Sequence, residues 1–220
     1  MIITIDGPAG SGKSTAAREL ARRLGIAYLD TGATFRAVTL KAMREGADLA
    51  DAEALARIAR EMDLAMTPSP DGVHVMLDGR DVTRDIRSAA VTENSRHAAA
   101  SPAVRAVLVD LQREMGRRLG SFVTEGRDQG SVVFPQANVK FYLVADAQTR
   151  ASRRHAELLA AGEEIPLERV LDGIVRRDQQ DQGRQVAPLI KPRGAIEVDT
   201  SDKEIDQVAE ELLACVEAHK

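Results

Sequence analysis

A short β-branched run, Ile2 to Ile5, leads through Asp6 into Gly7-Pro8-Ala9-Gly10-Ser11-Gly12-Lys13-Ser14, and Ala16 to Leu24 then carries helical spacing as far as a stop at Gly25. This stretch matches G-x-x-x-x-G-K-[ST] at every fixed position, and it stands between a predicted strand and a predicted helix, the context the motif requires. Glycines are needed because such a loop wraps a phosphate with successive backbone N–H groups, and side chains would block the approach or forbid the φ values. The helix beginning near Lys13 adds its positive N-terminal end. In this reading Lys13 bridges the β- and γ-phosphates of a nucleoside triphosphate, and the Ser14 hydroxyl helps hold Mg²⁺, partly through water. The loop fixes a ligand class without separating a kinase from a GTPase or a motor ATPase.

The alternation of strand and helix continues along the chain. Ala27-Tyr28-Leu29 ends at Asp30, and Phe35, Val38, Leu40 and Met43 mark the helix after it. Further apolar strands are expected at Phe122 to Glu125, Val139 to Val144 and Ala195 to Val198. This is the rhythm of a parallel sheet covered on both faces. The expected fold is α/β, with a five-stranded parallel sheet and helices on both faces. Two stretches break the pattern. From Leu64 to Ile86 polar and apolar residues alternate around Pro70-Asp71-Gly72 and Asp78-Gly79-Arg80, which suits a small antiparallel insert with tight turns. From Ala151 to Arg193 two charged helical segments meet at Gly162 and then give way to Gln179 through Gln185.

Charge narrows the partners. Thirty Lys and Arg against 34 Asp and Glu leave a net charge of −4, which advertises no nucleic-acid polymer, and 3% aromatics without any Trp cannot build a stacking platform for bases. Yet Arg176 to Arg193 alone holds four Arg and one Lys against two Asp. Cys215 is the sole cysteine, so an intramolecular disulfide and a cysteine metal cluster are excluded, and Leu212, Leu213 and Val216 around it suggest a buried, inert thiol. His74, His97, His155 and His219 lack zinc-ligand spacing. No apolar run approaches the ~18 residues of a membrane span. The start of the chain lacks signal-peptide character, so a cytoplasmic address is expected.

No Asn-Lys-x-Asp base-reading loop of a GTPase is present, nor the hydrophobic run ending in Asp-Glu of a motor ATPase. Instead there are many arginines away from the loop: Arg36, Arg105, Arg127, Arg150, Arg153, Arg154, Arg176, Arg177 and Arg184. Phosphoryl transfer calls for such residues, because guanidinium forks contact the charged equatorial oxygens of the transferring group bidentately. Arg36 and Arg127 each follow the carboxyl end of a predicted core strand, where ligands bind in open α/β sheets.

Several blocks together resemble the bacterial cytidylate kinases over nearly the whole chain: Asp6 to Thr15, Leu29-Asp30-Thr31-Gly32-Ala33, Glu125-Gly126-Arg127-Asp128-Gln129-Gly130-Ser131-Val132-Val133-Phe134-Pro135, Arg150 to Arg154, Arg177 to Asp181 and Arg184 to Leu189. The block from Gly126 to Pro135 is the most specific, since other nucleoside monophosphate kinases share the phosphate loop and lack it. The Leu64 to Ile86 insert also resembles the antiparallel extension of the bacterial type. The resemblance implies Mg²⁺-dependent transfer of the ATP γ-phosphate to CMP and dCMP, giving CDP and dCDP, in pyrimidine nucleotide metabolism. Gly7 through Thr15 then bind ATP, and Lys13, Arg127, Arg177 and Arg184 are the catalytic residues. Arg36 and Arg127 look like ligands of the acceptor phosphate, with Thr31 on the same acceptor side. Arg105 and Asp128 look like the cytosine readers, Asp181 like the residue holding the acceptor sugar, and Arg177 and Arg184 like lid residues that meet phosphates on closure. Asp199-Thr200-Ser201 resembles the loop against the donor adenine.

The implied organisation is a single P-loop kinase domain, a monomer, with a core at 1–30, 121–149 and 194–220, an acceptor-binding region with the β insert at 31–120, and a helical lid at 150–193. Phe35 stands where the family usually has Tyr, and Arg96 stands where it tends to carry a base-contacting serine. Kinases of other small acceptors (UMP, shikimate, dephospho-coenzyme A) are the alternative within enzymes. A switch that binds ATP without transferring it is the alternative outside them.

Overall fold

The computed structural model describes residues 1–69, 72–160 and 162–219. Strand β1 (Ile2–Asp6) runs into the glycine-rich loop and helix α1 (Lys13–Leu24), then β2 (Ala27–Asp30) and α2 (Thr31–Arg44). Helix α3 (Ala52–Glu61) precedes three short strands, β3 (Leu64–Ser69), β4 (Gly72–Leu77) and β5 (Arg80–Asp81). After a 3₁₀ turn come α4 (Ala89–Ala100), α5 (Pro102–Leu119), β6 (Phe122–Gly126), a π-helical turn at Gln129–Val133 and β7 (Val139–Val144). Helices α6 (Ala147–Ala160) and α7 (Leu167–Gln182), strand β8 (Ile196–Asp199) and α8 (Ile205–Glu217) complete the chain.

Five strands form one parallel sheet in the order β2-β6-β1-β7-β8. β1 pairs with β7 from Ile3 opposite Val139 to Asp6 opposite Tyr142, and β7 pairs with β8 from Phe141 opposite Ile196. Ile3, Thr4, Ile5 and Asp6 are all fully buried, so neither face of β1 meets water, and the run is β-branched without the polar alternation of a half-exposed strand. The five core strands fall where the sequence places them.

By packing, the chain divides into two units, Met1–Ile26 with Val123–Lys220, and Ala27–Phe122. In the first, α1 starts at a left-handed Gly12 and stops at a left-handed Gly25. Helices α6 and α7 share a small apolar cluster of their own, Ala151, Leu158, Val170 and Ile174. From the sequence the second lid helix is expected to give way at Gln179, whereas α7 continues through Gln182. The added turn buries Asp181 to 2% exposure, where it pairs with arginines, and that tertiary pairing outweighs the weak helical signal of a Gln-rich run. Cys215 is half-buried rather than buried, since α8 turns Leu212 and Val216 inward and leaves the thiol on the flank.

In the second unit, Asp30, Ser88 and Ser101 cap α2, α4 and α5 through their side chains. The expected insert is an antiparallel sheet, β3-β4-β5. Its second hairpin turns at Asp78-Gly79 with φ of 49° and 74°, the two positive values that a type I′ turn requires. Pro70 and Asp71 of the other expected turn lie outside the described residues. Among those that are described, no helix is long and apolar enough to cross a membrane.

Two glycines separate backbone strain from crowding. A Cβ on Gly25 would meet nothing within 4 Å, so Gly25→Ala is expected to cost about 1 kcal/mol through its left-handed φ alone. A Cβ on Gly7 would lie 2.1 Å from the Leu143 carbonyl oxygen, and Gly7→Ala should cost about 3 kcal/mol or more. Urea unfolding of both variants checks this, and equal losses would show that the loop does not press on β7.

Candidate active site

The loop from Gly7 to Ser14 is held by close backbone approaches. Gly7, Gly10 and Gly12 have φ of 150°, 76° and 82°, and a Cβ on Gly10 would come 3.0 Å from the Arg150 Cβ. Gly12 caps α1 with no side-chain acceptor, so the first-turn N–H groups face the loop without a competing carboxylate. Lys13 is only 5% exposed, and its Nζ donates to the Pro8 carbonyl at 2.6 Å. Burial pushes the Lys13 amine down to about 7, the nearby Arg127 and Arg177 push the same way, and Glu125 and Asp6 oppose them.

Ser14 Oγ donates to Glu125 Oε1 at 2.8 Å, and Glu125, at the end of β6, is 8% exposed. In the sequence Glu125 is only the first residue of the block ending at Pro135, with no partner legible nearby. The pair offers two hard oxygens, which fits Mg²⁺, an ion that takes one or two protein oxygens and keeps water and phosphate for the rest. No group of three or more His, Cys, Asp or Glu among the described residues is placed to hold a metal ion, and a phosphate-bound Mg²⁺ needs none.

Beyond β6, Arg127 and Asp128 precede the π-helical turn, whose first bonds run from the Val132 and Val133 N–H groups to the Asp128 carbonyl. Asp128 is 4% exposed. The Asp6 carboxylate accepts the Gln129 N–H at 2.8 Å and the Gly130 N–H at 2.7 Å, and burial, against those two bonds, pushes its pKa up to about 6.

Arg127 Nε donates to Asp181 Oδ2 at 2.8 Å, and Arg184 pairs with the other oxygen of Asp181. Burial alone would raise the Asp181 pKa, but Arg127 and Arg184 hold it below the ordinary value. Arg177 lies exposed on α7 and is felt electrostatically at both Lys13 and Asp181. Two arginines read as standing away from the phosphate loop are instead tied to it or its neighbours. Arg150 donates to the Ala9 carbonyl at 2.8 Å and pairs with Asp178 at 2.6 Å. Arg153 donates to Thr200 Oγ1 at 3.1 Å, and that hydroxyl reaches the Ser11 carbonyl at 3.3 Å. Side chains this far apart in sequence give no local signal of their pairing.

The second unit holds Thr31, Arg36 and Arg105. Asp30 Oδ1 caps α2 through the Ala33 N–H, and Oδ2 accepts from Arg36 Nη2 at 2.9 Å. A Cβ on Gly32 would come 2.9 Å from Arg36 Nη1, so glycine there leaves the guanidinium its space. Arg36 Nε is buried without a hydrogen-bond partner. Thr31 is 2% exposed at the start of α2, and the Arg105 guanidinium lies 5.5 Å from the centre of the Phe35 ring. Arg96 is half exposed on α4, 3.7 Å from Glu93. The first unit thus assembles Lys13, Ser14, Glu125, Arg127, Arg177, Asp181 and Arg184, and the second assembles Asp30, Arg36, Phe35 and Arg105.

The buried lysine has a measurable consequence. Below pH 7 it is charged in the folded and unfolded chain alike, so the cost of burying it is present in full. Between about 7 and 10.5 the unfolded chain keeps a proton that the folded chain gives up, so stability rises with pH across that window. Lys13→Met is expected to flatten the rise, read as the shift in urea midpoint from about pH 7 to about pH 9.5. An equal shift in both proteins would assign the rise to another group.

The family model for cytidylate kinase matches residues 3–218. A cytidylate kinase of Symbiobacterium thermophilum is 47% identical over 214 residues, covering 97% of this chain and 94% of its own. One from Rhodococcus opacus is 46% identical over 216 residues, covering 98% and 94%. Among solved structures, an uncharacterized protein from Eubacterium ventriosum superposes with a TM-score of 0.54 at 14% identity, covering 99% of each chain. TT1252 from Thermus thermophilus superposes with a TM-score of 0.50 at 21% identity, covering 99% of this chain and 96% of its own. At such identities those two speak for the α/β fold alone. The match to family and relatives spans almost every residue, the glycine-rich loop and the Gly126 to Pro135 block included, and the chain belongs to the cytidylate kinase family.

Proposed function

We infer that the chain transfers the γ-phosphate of ATP to CMP and dCMP, giving CDP and dCDP. The observation that carries the chemistry is a lysine buried in the glycine-rich loop, with its amine held by the Pro8 carbonyl. Burial, with Arg127 and Arg177 acting the same way against Glu125 and Asp6, lowers the affinity of Lys13 for its proton, and the oxygens of a bound polyphosphate favour the charged form again. The acceptor class rests on the family, and 47% identity over 97% of the chain disfavours UMP, shikimate or dephospho-coenzyme A as the main acceptor.

Each residue has a part in this reading. Gly7 through Thr15 wrap the ATP phosphates with backbone N–H groups, and Lys13 swings from the Pro8 carbonyl to the β- and γ-oxygens. Ser14 and Glu125 would hold Mg²⁺, partly through water, and the ion would supply positive charge to the ATP phosphates. Arg36 takes the acceptor phosphate, and its buried, unpartnered Nε supports that role. Arg127 takes the same phosphate, Thr31 lies on the acceptor side, and Asp181 contacts the sugar while orienting Arg127 and Arg184. The acceptor is already an ionised phosphate, so no general base is required, and catalysis is positioning and electrostatics.

Asp128 and Arg105 read the base. A carboxylate accepts from the 4-amino group of cytosine and repels the 4-carbonyl of uracil, and a buried polar group left unpaired costs ~1–3 kcal/mol, so discrimination of roughly tenfold to a hundredfold follows. The Phe35 ring supports Arg105 by stacking, a contact that needs no hydroxyl. Residues 150–193 form a lid, and the separate apolar cluster of α6 and α7 lets it move as a body, carrying Arg177 and Arg184 onto the phosphates. Residues 31–120 are the acceptor region, and 1–30, 121–149 and 194–220 the core of a cytoplasmic monomer.

A coupled assay of ADP release with ATP and CMP, dCMP, UMP, AMP or shikimate tests the reading. Turnover is expected to be fastest with the two cytidine nucleotides, and absence of turnover with both rejects it. Glu125→Gln keeps a hydrogen-bonding side chain without the charge, and is expected to raise the Mg²⁺ concentration for half-maximal rate about tenfold or more. An unchanged Mg²⁺ titration would remove Glu125 from the ion's surroundings.

A further inference from the structure

Asp6 is the last residue of β1, immediately before the phosphate loop, and nothing so far gives it a task. It is fully buried, and both of its oxygens are used: one accepts the Gln129 N–H at 2.8 Å, the other the Gly130 N–H at 2.7 Å. Both donors belong to the turn that follows Arg127 and Asp128. That turn is a single π-helical segment, a geometry that is rare in proteins and occurs often at functional sites. Its seat is close: a Cβ on Gly130 would lie 2.8 Å from Thr4 Oγ1, 3.1 Å from Pro192 Cγ and 3.3 Å from Asp6 Oδ2. Glycine at 130 therefore lets the backbone descend far enough for both bonds. The neighbouring Gln129 side chain is placed by Thr124, whose hydroxyl lies 3.3 Å from its Oε1. An ionised carboxylate kept in a fully buried site is unfavourable unless it is strongly bonded, so its presence here marks a geometric requirement at the turn.

We propose that Asp6 is a positioning residue for acceptor recognition: by gripping the Gln129 and Gly130 amides it sets where Arg127 and Asp128 stand relative to the ATP loop that begins at Gly7. Asp6 touches neither nucleotide. It acts through the backbone of the turn, and the inference rests on the reading of Arg127 and Asp128 as acceptor ligands. The side chain needed is specific. Two N–H donors converge on it, so both of its oxygens must accept, and neither asparagine nor a hydroxyl residue supplies two acceptors in that fork.

Asp6→Asn replaces one acceptor by an NH₂ group that faces an N–H, so at most one of the two bonds survives. The expected result is a rise of about tenfold or more in the KM for CMP and a narrowed CMP over UMP ratio of kcat/KM, with the KM for ATP within about twofold of wild type. The ratio does not depend on how much enzyme is folded, so a purely structural loss leaves it unmoved. If Asp6→Asn does not fold, Gly130→Ala keeps Asp6 and lifts the turn from it, and the same split between CMP and ATP is expected. Folded protein of either variant with wild-type KM for CMP and a wild-type CMP over UMP ratio overturns the proposal. Asp128→Ala is measured in parallel. If it narrows the ratio and the Asp6 and Gly130 variants do not, the positioning role alone fails; if it leaves the ratio unchanged, the base-reading assignment fails and the inference with it.

Discussion

The Leu143 carbonyl lies where a Cβ on Gly7 would come within 2.1 Å, and much of the first unit is arranged around that closeness. A loop that presents its own N–H groups to phosphate has to run flush against the sheet, and only a chain without side chains at the crossing points does so. Once the loop is that low, its outward carbonyls need partners. The Ala9 carbonyl accepts from Arg150 and the Ser11 carbonyl from Thr200, whose hydroxyl in turn accepts from Arg153, so the first turns of α6 and the segment after β8 are bound to the loop. The residues that shape the phosphate cradle thereby shape the root of the lid.

Charge is organised by two buried carboxylates with opposite partners. Asp6 spends both oxygens on backbone N–H groups, and Asp181 spends both on guanidinium groups. The first leaves a carboxyl whose pKa burial raises; the second has its pKa lowered despite burial, because two cations face it. Lys13 near Asp6 is pressed toward neutrality by burial and by Arg127 and Arg177, against Glu125 and Asp6. A chain of net charge −4 thus sets Lys13, Arg127 and Arg184 among carboxylates that each have a defined partner, Glu125 with Ser14, Asp6 with two backbone N–H groups and Asp181 with two guanidinium groups.

Much of the architecture was legible in one dimension. The five core strands, the loop, the start and stop of α1 and the Asp78-Gly79 hairpin follow from β-branched runs, glycine placement and turn chemistry, all of which act over a few residues. The extension of α7 to Gln182 was not legible, because a Gln-rich segment has little intrinsic preference and Asp181 is drawn in by Arg127. Glu125 and Asp6 were visible as residues but not as actors, since Ser14 and Glu125 are 111 positions apart and Asp6 and Gln129 are 123 apart. The half-buried Cys215 shows the same limit, for a helical wheel does not say where the neighbouring surface stops.

The sequence by itself determined the α/β class, the phosphate loop and the family, because each depends on local spacing or on residues in fixed order. Only the tertiary structure decided which arginines are engaged structurally, as Arg150 and Arg153 are, and which retain an unpartnered buried donor, as Arg36 does at Nε. It also decided that one carboxylate before the loop holds the turn after β6. The physical reason is the same in each case: a charged group buried in a folded chain takes its role from the partners that the fold brings within hydrogen-bonding distance, and residue type alone does not specify them.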